Sequence, residues 1–156
     1  MPTVFVKGDL FGRDDLEALA HGCNCAGAMG KGIAVEFRAR FPEMYEEYKR
    51  RCADGRFKPG DVFAWRADRQ TVYNLGTQRT WRTGAELDAI ERSARGMVEL
   101  AEKSGISKIG LPRIGAGLGG LPWAQVRALL AELGGGTDVE LIVFEEFEPV
   151  GARRTS

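Results

Sequence analysis

Two glycine-rich segments combine residue types and spacing that suit ligand chemistry. Residues 26–32 read Ala-Gly-Ala-Met-Gly-Lys-Gly, and residues 112–120 read Pro-Arg-Ile-Gly-Ala-Gly-Leu-Gly-Gly. Glycine permits tight backbone geometry and the close approach of a ligand. Each segment leads into a helical pattern, whose first N–H groups favour anions. Glycines that merely serve turns are the alternative, but two such loops favour a site that encloses a pyrophosphate from both sides.

Two common nucleotide-binding motifs do not fit these glycines. The P-loop requires a Ser or Thr directly after its Gly-Lys pair, whereas Lys31 is followed by Gly32. The dinucleotide fingerprint G-x-G-x-x-G is absent after the first predicted strand, where residues 8–12 read Gly-Asp-Leu-Phe-Gly. Both classes of site are therefore excluded.

The elements that position the two loops follow from hydrophobic periodicity and turn residues. Strands are predicted at residues 3–7, 18–25, 61–65, 71–75, 107–111 and 139–144. Helices are predicted at 33–41, 42–55, 87–105 and 122–133, with a short turn or helix near 14–19 and a Thr83–Glu86 capping box before the third helix. This alternation predicts an α/β fold with a mixed, mostly parallel central sheet of about six strands, covered on both faces. Both glycine loops follow strands at the carboxyl edge, where such sheets bind ligands.

Composition predicts one globular domain over residues 1–150, followed by a flexible tail at 151–156. Apolar residues make up 44% of the chain, and 22 basic residues balance 22 acidic ones, which argues against a broad basic face for nucleic acid. No apolar run is long enough to span a bilayer, and the N-terminus lacks signal-peptide order. We expect a cytoplasmic monomer without a membrane partner.

The cysteines and the single histidine predict structure rather than metal chemistry. Cys23, Cys25 and Cys52 are odd in number, and Cys-x-Cys is a poor zinc spacing. On a strand, His21 shares a face with Cys23 and Cys25. We expect buried cysteines, a hydrogen-bonded core histidine, no metal site and no cofactor.

Four segments make the sequence similar to the macrodomain family. They are residues 6–11 (Val-Lys-Gly-Asp-Leu-Phe), 21–25 (His-Gly-Cys-Asn-Cys), 27–34 (Gly-Ala-Met-Gly-Lys-Gly-Ile-Ala) and 111–123. The resemblance is to the branch that holds terminal ADP-ribose protein glycohydrolase and the antitoxin that removes ADP-ribose from thymidine in DNA. It implies a single three-layer α/β/α macrodomain that binds ADP-ribose.

The resemblance also implies roles for individual residues. Asp9 would accept a hydrogen bond from the adenine amino group with Leu10 beside it, Asn24 would lie by the distal ribose, and Phe144 or Phe147 would pack on adenine. The alternatives are a turn or cap for Asp9, a loop side chain bonded to backbone for Asn24, and plain core for the phenylalanines. The other implied ligand-binding residues are Met29, Gly30, Lys31, Gly32, Ile33, Ala34, Thr77, Gly115, Ala116, Gly117, Leu118 and Gly119.

Two departures from the family pattern bear on catalysis. The branch's hydrolases carry a key lysine where this chain has Gln78, and the human-type enzyme carries an aspartate where it has Gly119. A glutamine amide is not nucleophilic, so no lysine–sugar adduct forms at position 78. We expect Gln78 to orient a water and Asn24 to hold the ribose as the catalytic pair. Lys31, Arg79 and Arg113 are then cationic stabilisers or merely solvated charges.

The sequence is compatible with three functions. The leading one is a hydrolase that removes mono-ADP-ribose from acidic protein side chains, with DNA bases as a further substrate. The alternative is a non-catalytic reader of free or attached ADP-ribose. The third is a DNA-bound antitoxin, for which Arg79, Arg82 and Arg113 would form a small basic face. Trp81 would then stack on an extruded base, or equally be a half-buried packing residue.

Overall fold

A computed structural model describes residues 2–117 and 119–149. Its strands are β1 (Val4–Gly8), β2 (Ala18–Asn24), β3 (Val62–Arg66), β4 (Thr71–Gln78), β5 (Lys108–Leu111) and β6 (Glu140–Phe147). They form a six-stranded sheet of order β1-β6-β5-β2-β4-β3. Neighbouring strands run parallel except in the β3–β4 hairpin. The predicted mixed, mostly parallel sheet is confirmed.

Helices cover both faces of this sheet. They are α1 (Ala34–Arg40), α2 (Pro42–Ala53), α3 (Leu87–Ser104) and α4 (Trp123–Gly135). Strand residues alternate between two cores: Leu141 and Val143 pack with α3 and α4, whereas Ile142 and Phe144 pack with α1 and α2. This period of two places one apolar layer on each face, and the three-layer α/β/α class is confirmed.

The capping box predicted for α3 is wrong. Glu86 is the N-cap residue, but its side chain makes no cap hydrogen bond. The Thr83 hydroxyl instead donates to the Thr80 carbonyl at 3.1 Å, and the Thr80 N–H donates to Thr83 Oγ1 at 3.1 Å. A local turn thus takes the hydroxyl that the cap would need. The C-terminal stop at Gly105 is confirmed, because this residue has φ +71° and lies just after the helix.

Strand and helix boundaries differ from the predicted ones by up to three residues. The end of β4 is one example, since the strand reaches Gln78 rather than residue 75. β6 continues to Phe147 because it stays paired with β1 as far as the Gly8–Phe147 pair. The short turn or helix expected near residues 14–19 is present as a turn at Asp14–Asp15, and a 3-10 helix over Leu10–Gly12, which the Asp9 side chain caps, precedes it. The predicted tail at 151–156 and the predicted ligand residue Leu118 lie outside the described residues. No described helix has the length and apolar character needed to cross a membrane.

Candidate functional site

A cleft of about 960 Å³ opens between the two glycine loops, beyond the carboxyl ends of β2, β4 and β5. The structure thus brings together loops whose nearest ends, Gly32 and Pro112, are 80 residues apart in the sequence. The predicted site residues that line it are Asn24, Met29, Gly30, Lys31, Gly32, Ile33, Ala34, Thr77, Gln78, Gly115, Ala116, Gly117 and Gly119.

Three predicted ligand residues do not line this cleft. The Asp9 carboxylate accepts a hydrogen bond from the Phe11 N–H at 3.0 Å, which is the capping role named above as the alternative. Leu10 and Phe144 are buried in the core that α1 and α2 cover. Phe147, the other phenylalanine considered for adenine, is exposed at the end of β6. A contact of these residues with adenine stays a prediction.

The cleft also contains residues outside the predicted ligand-binding set. Most of them lie where β2, β4 or β5 ends, so the carboxyl-edge rule that located the glycine loops could also have found them. They are Gly22, Cys23, Ala28, Trp81, Arg82, Pro112, Arg113 and Ile114.

Unpaired backbone donors mark both sides of the cleft. In the described part of the chain, no acceptor pairs with the N–H groups of residues 30–33 or 115–117. Gly32 and Gly115 have φ of +63° and +76°, a backbone region that glycine adopts without strain. Consecutive free N–H groups in such loops form concavities that bind anions.

Side chains add positive charge to these amides. Lys31, Arg82 and Arg113 line the cleft, and the described lining residues include no Asp or Glu. Trp81, which is 53% exposed, lies under the Arg82 guanidinium at 4.6 Å and 6.0 Å from Lys31 Nζ. The cleft therefore attracts an anionic ligand and offers an aromatic face beside it.

Gln78 ends β4 with its amide orientation fixed. Its Nε2 donates to the carbonyls of Thr80 at 2.9 Å and Thr83 at 3.0 Å, so both N–H groups are used. Within the described residues, no donor reaches its Oε1. Gln78 is 9% exposed and lines the cleft, so its amide offers a hydrogen-bond acceptor there.

Asn24 ends β2 opposite Gln78, after a register shift that follows Cys23. Its Oδ1 accepts from the N–H groups of Ala26 at 3.0 Å and Ala28 at 3.3 Å, and its Nδ2 donates to the Ala28 carbonyl at 2.8 Å. The side chain therefore shapes the first glycine loop, which is the alternative reading given above. Its contact with a ribose stays a prediction.

The thiols and the histidine near the cleft are not activated. Burial raises the pKa of the Cys23 thiol well above its ordinary value and that of Cys25 to about 12, so neither is a thiolate at neutral pH. Burial lowers the pKa of His21 to about 4, and its Nε2 lies 2.7 Å from Asn74 Oδ1. The described residues contain no cluster of three or more His, Cys, Asp or Glu side chains that suits a metal ion.

These features of sheet and cleft define a class of protein. Residues 20–130 match the model of the Macro domain family, and the chain belongs to that family.

Relatives and one solved structure place the chain near enzymes of ADP-ribose chemistry. The DNA ADP-ribosyl glycohydrolase of Thermus aquaticus is 33% identical over 92% of this chain, which spans 41% of that protein's length. The ADP-ribose glycohydrolase OARD1 of Homo sapiens is 31% identical over 90% of this chain and 89% of its own length. The structure of Thermosipho africanus DarTG in complex with ADP-ribose has a TM-score of 0.82 and 25% identity, over 92% of this chain and 41% of that one.

Proposed function

We propose that this macrodomain binds ADP-ribose and hydrolyses mono-ADP-ribose from acidic protein side chains. The observation that carries the proposal is the pair of amide-rich loops on opposite sides of one cationic cleft. A diphosphate carries two negative charges and many acceptor oxygens, which match these donors. The glycohydrolase relatives and the DarTG complex with ADP-ribose support the same ligand.

The proposed chemistry is attack of a water on the anomeric carbon of the distal ribose. The water oxygen forms the new bond while the bond from that carbon to the carboxylate oxygen breaks, and its electron pair leaves with the side-chain carboxylate. The water proton passes to a diphosphate oxygen. Gln78 Oε1 accepts the other water hydrogen and thereby orients the oxygen lone pair, a role for which its fixed amide suits it. The products are ADP-ribose and a free Glu or Asp.

ADP-ribosylated DNA is a second substrate class that one observation favours. Trp81 is an exposed aromatic at the cleft, with Arg82 and Lys31 near its ring. Aromatic side chains with nearby cations bind unstacked bases and the phosphates beside them. The Thermus aquaticus relative is named for action on DNA.

A non-catalytic reader is the alternative activity. Gln78 does not ionise, and the described lining of the cleft includes no carboxylate and no histidine, so neither of these common general bases is present there. A reader would use the same amides to hold ADP-ribose without cleaving its linkage.

Mass spectrometry of released ADP-ribose tests these proposals. The protein is incubated with glutamate-linked ADP-ribosyl protein and, separately, with ADP-ribosyl-thymidine DNA. We expect release from the protein substrate, unaffected by a chelator, and a loss of up to about a hundredfold in Gln78→Ala, because the water loses its orienting acceptor. Gln70→Ala is the matched control, since Gln70 lies just before the opposite end of β4.

The pattern of outcomes separates the activities. Release from DNA alone would replace the protein substrate with the DNA one. Tight ADP-ribose binding without release from either substrate would make the protein a reader. Full turnover in Gln78→Ala with unchanged ADP-ribose affinity would remove the proposed role of Gln78.

A further inference from the structure

A buried phenol supports the first glycine loop from below. Tyr48 lies on α2 with no exposed surface, and its hydroxyl donates to the Asn24 carbonyl at 2.7 Å and lies 2.9 Å from Asn24 Oδ1. The Ala28 carbonyl is 3.4 Å from the same hydroxyl. Burial raises the pKa of Tyr48, so the hydroxyl keeps its proton and stays a donor.

Asn24 connects Tyr48 to the loop through hydrogen bonds of its own side chain. Its amide holds the N–H groups of Ala26 and Ala28 and the Ala28 carbonyl, which fixes the chain on either side of Gly27. Gly27 has φ +88°, and a Cβ built on it would lie 3.8 Å from Cys52 Cβ and 3.9 Å from Lys49 Cγ. The loop therefore rests directly on α2.

The free amides begin immediately after this anchored segment. Residues 30–33 have no hydrogen-bond acceptor for their N–H groups among the described residues, and all of them line the cleft. Amides without internal partners keep their direction only if the chain that precedes them is held. On the preceding side, the nearest hydrogen bonds that hold the chain are those of Asn24, which Tyr48 supports. On the following side, the Gly32 and Ile33 carbonyls accept from N–H groups in the first turn of α1.

We propose that Tyr48 is a positioning residue for the ligand: through Asn24, its hydroxyl sets the conformation of loop 25–33 and so aims the amides that bind the diphosphate and distal ribose of ADP-ribose. The identity of the ligand rests on the function proposed above. The anchoring of the loop is independent of that function, because the same hydrogen bonds hold the loop in the unliganded protein. Tyr48 lies outside the cleft lining, so it acts without touching the ligand.

The test compares Tyr48→Phe with Tyr45→Phe in the full chain. Tyr45 lies three residues earlier on α2, and within the described residues its hydroxyl has no hydrogen bond, so its removal is the matched control. Hydrogen exchange read by mass spectrometry is measured on loop 25–33 and on β2 and β4, and affinities for ADP-ribose and AMP are measured by calorimetry.

We expect Tyr48→Phe to speed exchange in loop 25–33 selectively and to weaken ADP-ribose binding by roughly tenfold, the scale of one buried hydrogen bond. AMP lacks the second phosphate and the distal ribose, so its affinity should change less. Tyr45→Phe should leave both quantities unchanged. A merely structural tyrosine would instead raise exchange across the sheet and weaken both ligands alike.

Unchanged loop exchange, or equal losses for ADP-ribose and AMP, would overturn the proposal. If Tyr48→Phe does not fold, Asn24→Ala removes the loop side of the anchor and must show the same selective exchange. If the wild-type protein binds no ADP-ribose, the proposed function fails, and the exchange comparison still decides whether Tyr48 anchors the loop.

Discussion

At the scale of single residues, position 78 differs from the family pattern in two ways. Gln78 is uncharged, and it offers the cleft a hydrogen-bond acceptor where the family lysine offers a donor. A lysine ammonium can only donate hydrogen bonds. In Gln78, both Nε2 hydrogens are donated to the carbonyls of Thr80 and Thr83, so only the acceptor Oε1 remains for a ligand. An acceptor cannot stabilise negative charge that develops on a leaving group. It can hold a hydroxyl or a water by its hydrogen, which is why the proposed mechanism gives Gln78 a water to orient.

The second departure, Gly119, is explained by space. A Cβ at this position would lie 2.6 Å from the Gly115 carbonyl oxygen and 2.8 Å from Ala85 Cβ, so a side chain there requires the backbone to shift. We predict that Gly119→Ala lowers the free energy of unfolding by about 1–3 kcal/mol, the usual cost of overpacking. Urea unfolding of the variant measures this loss.

Gly117 provides the matched control in the same loop. A Cβ at Gly117 meets nothing within 4 Å, so Gly117→Ala should unfold like the wild-type protein. Gly117 lines the cleft, so we expect the added methyl group to crowd the ligand and ADP-ribose affinity to fall without a change in stability. Equal stability of the two alanine variants would show that the loop adapts freely at position 119.

At the scale of elements, the features that could be predicted from the sequence are those that depend on hydrophobic periodicity and on the position of strand ends. The six strands, the four helices and the meeting of both glycine loops at one edge follow from local patterns. The predicted Thr83 cap is wrong because the Thr83 hydroxyl donates to the Thr80 carbonyl and accepts from the Thr80 N–H instead. The bonding of Asn24 was not predictable in detail, since its anchor, Tyr48, lies 24 residues away on a helix whose rotation only the packed core defines.

The segment after β4 carries a prediction about substrate class. Residues 79–83 present Trp81 at the cleft, and a stacked base would lose its platform in Trp81→Ala. Base–aromatic stacking contributes about 1–3 kcal/mol per base, so affinity for ADP-ribosylated single-stranded DNA should fall by about fivefold to 150-fold. Fluorescence anisotropy with labelled oligonucleotides measures this change.

The comparison ligand for this variant is free ADP-ribose, whose affinity should stay near the wild-type value because it carries no extruded base. Trp81→Phe keeps an aromatic face and should retain most of the DNA affinity. Equal losses for DNA and for free ADP-ribose would instead mean that Trp81 supports the cleft itself.

At the scale of the whole molecule, the net charge is zero but the charges are unevenly distributed over the surface. The chain carries 22 basic and 22 acidic residues, yet Lys31, Arg82 and Arg113 line the cleft without a described acidic neighbour in its lining. Many other charges pair on the surface, as Glu47 does with Arg50 and Arg51. The cleft therefore has a positive local potential although the net charge of the chain is zero. This potential attracts an anionic ligand.

Stability of the whole fold should depend on pH through His21, the one histidine of the chain. Its ring has no exposed surface and stacks on Phe37 with centroids 3.8 Å apart, and burial lowers its pKa to about 4. In the unfolded chain the His21 imidazole binds a proton with a pKa near 6.5, whereas in the folded protein it stays neutral at that pH. Stability is therefore complete above pH 6.5 and falls as the pH drops towards 4, by about 1.4 kcal/mol per pH unit.

Urea unfolding between pH 7.5 and pH 5 measures this slope, above the range in which unfolded carboxylates titrate. Because the chain has one histidine, NMR titration of its ring carbon assigns the folded pKa without ambiguity. A ring that titrates near pH 6.5 in the folded protein, with flat stability across the window, would contradict the prediction. His21→Gln keeps a hydrogen-bonding side chain that does not titrate, so the folded variant should lose the slope, whatever the change in its stability at pH 7.5.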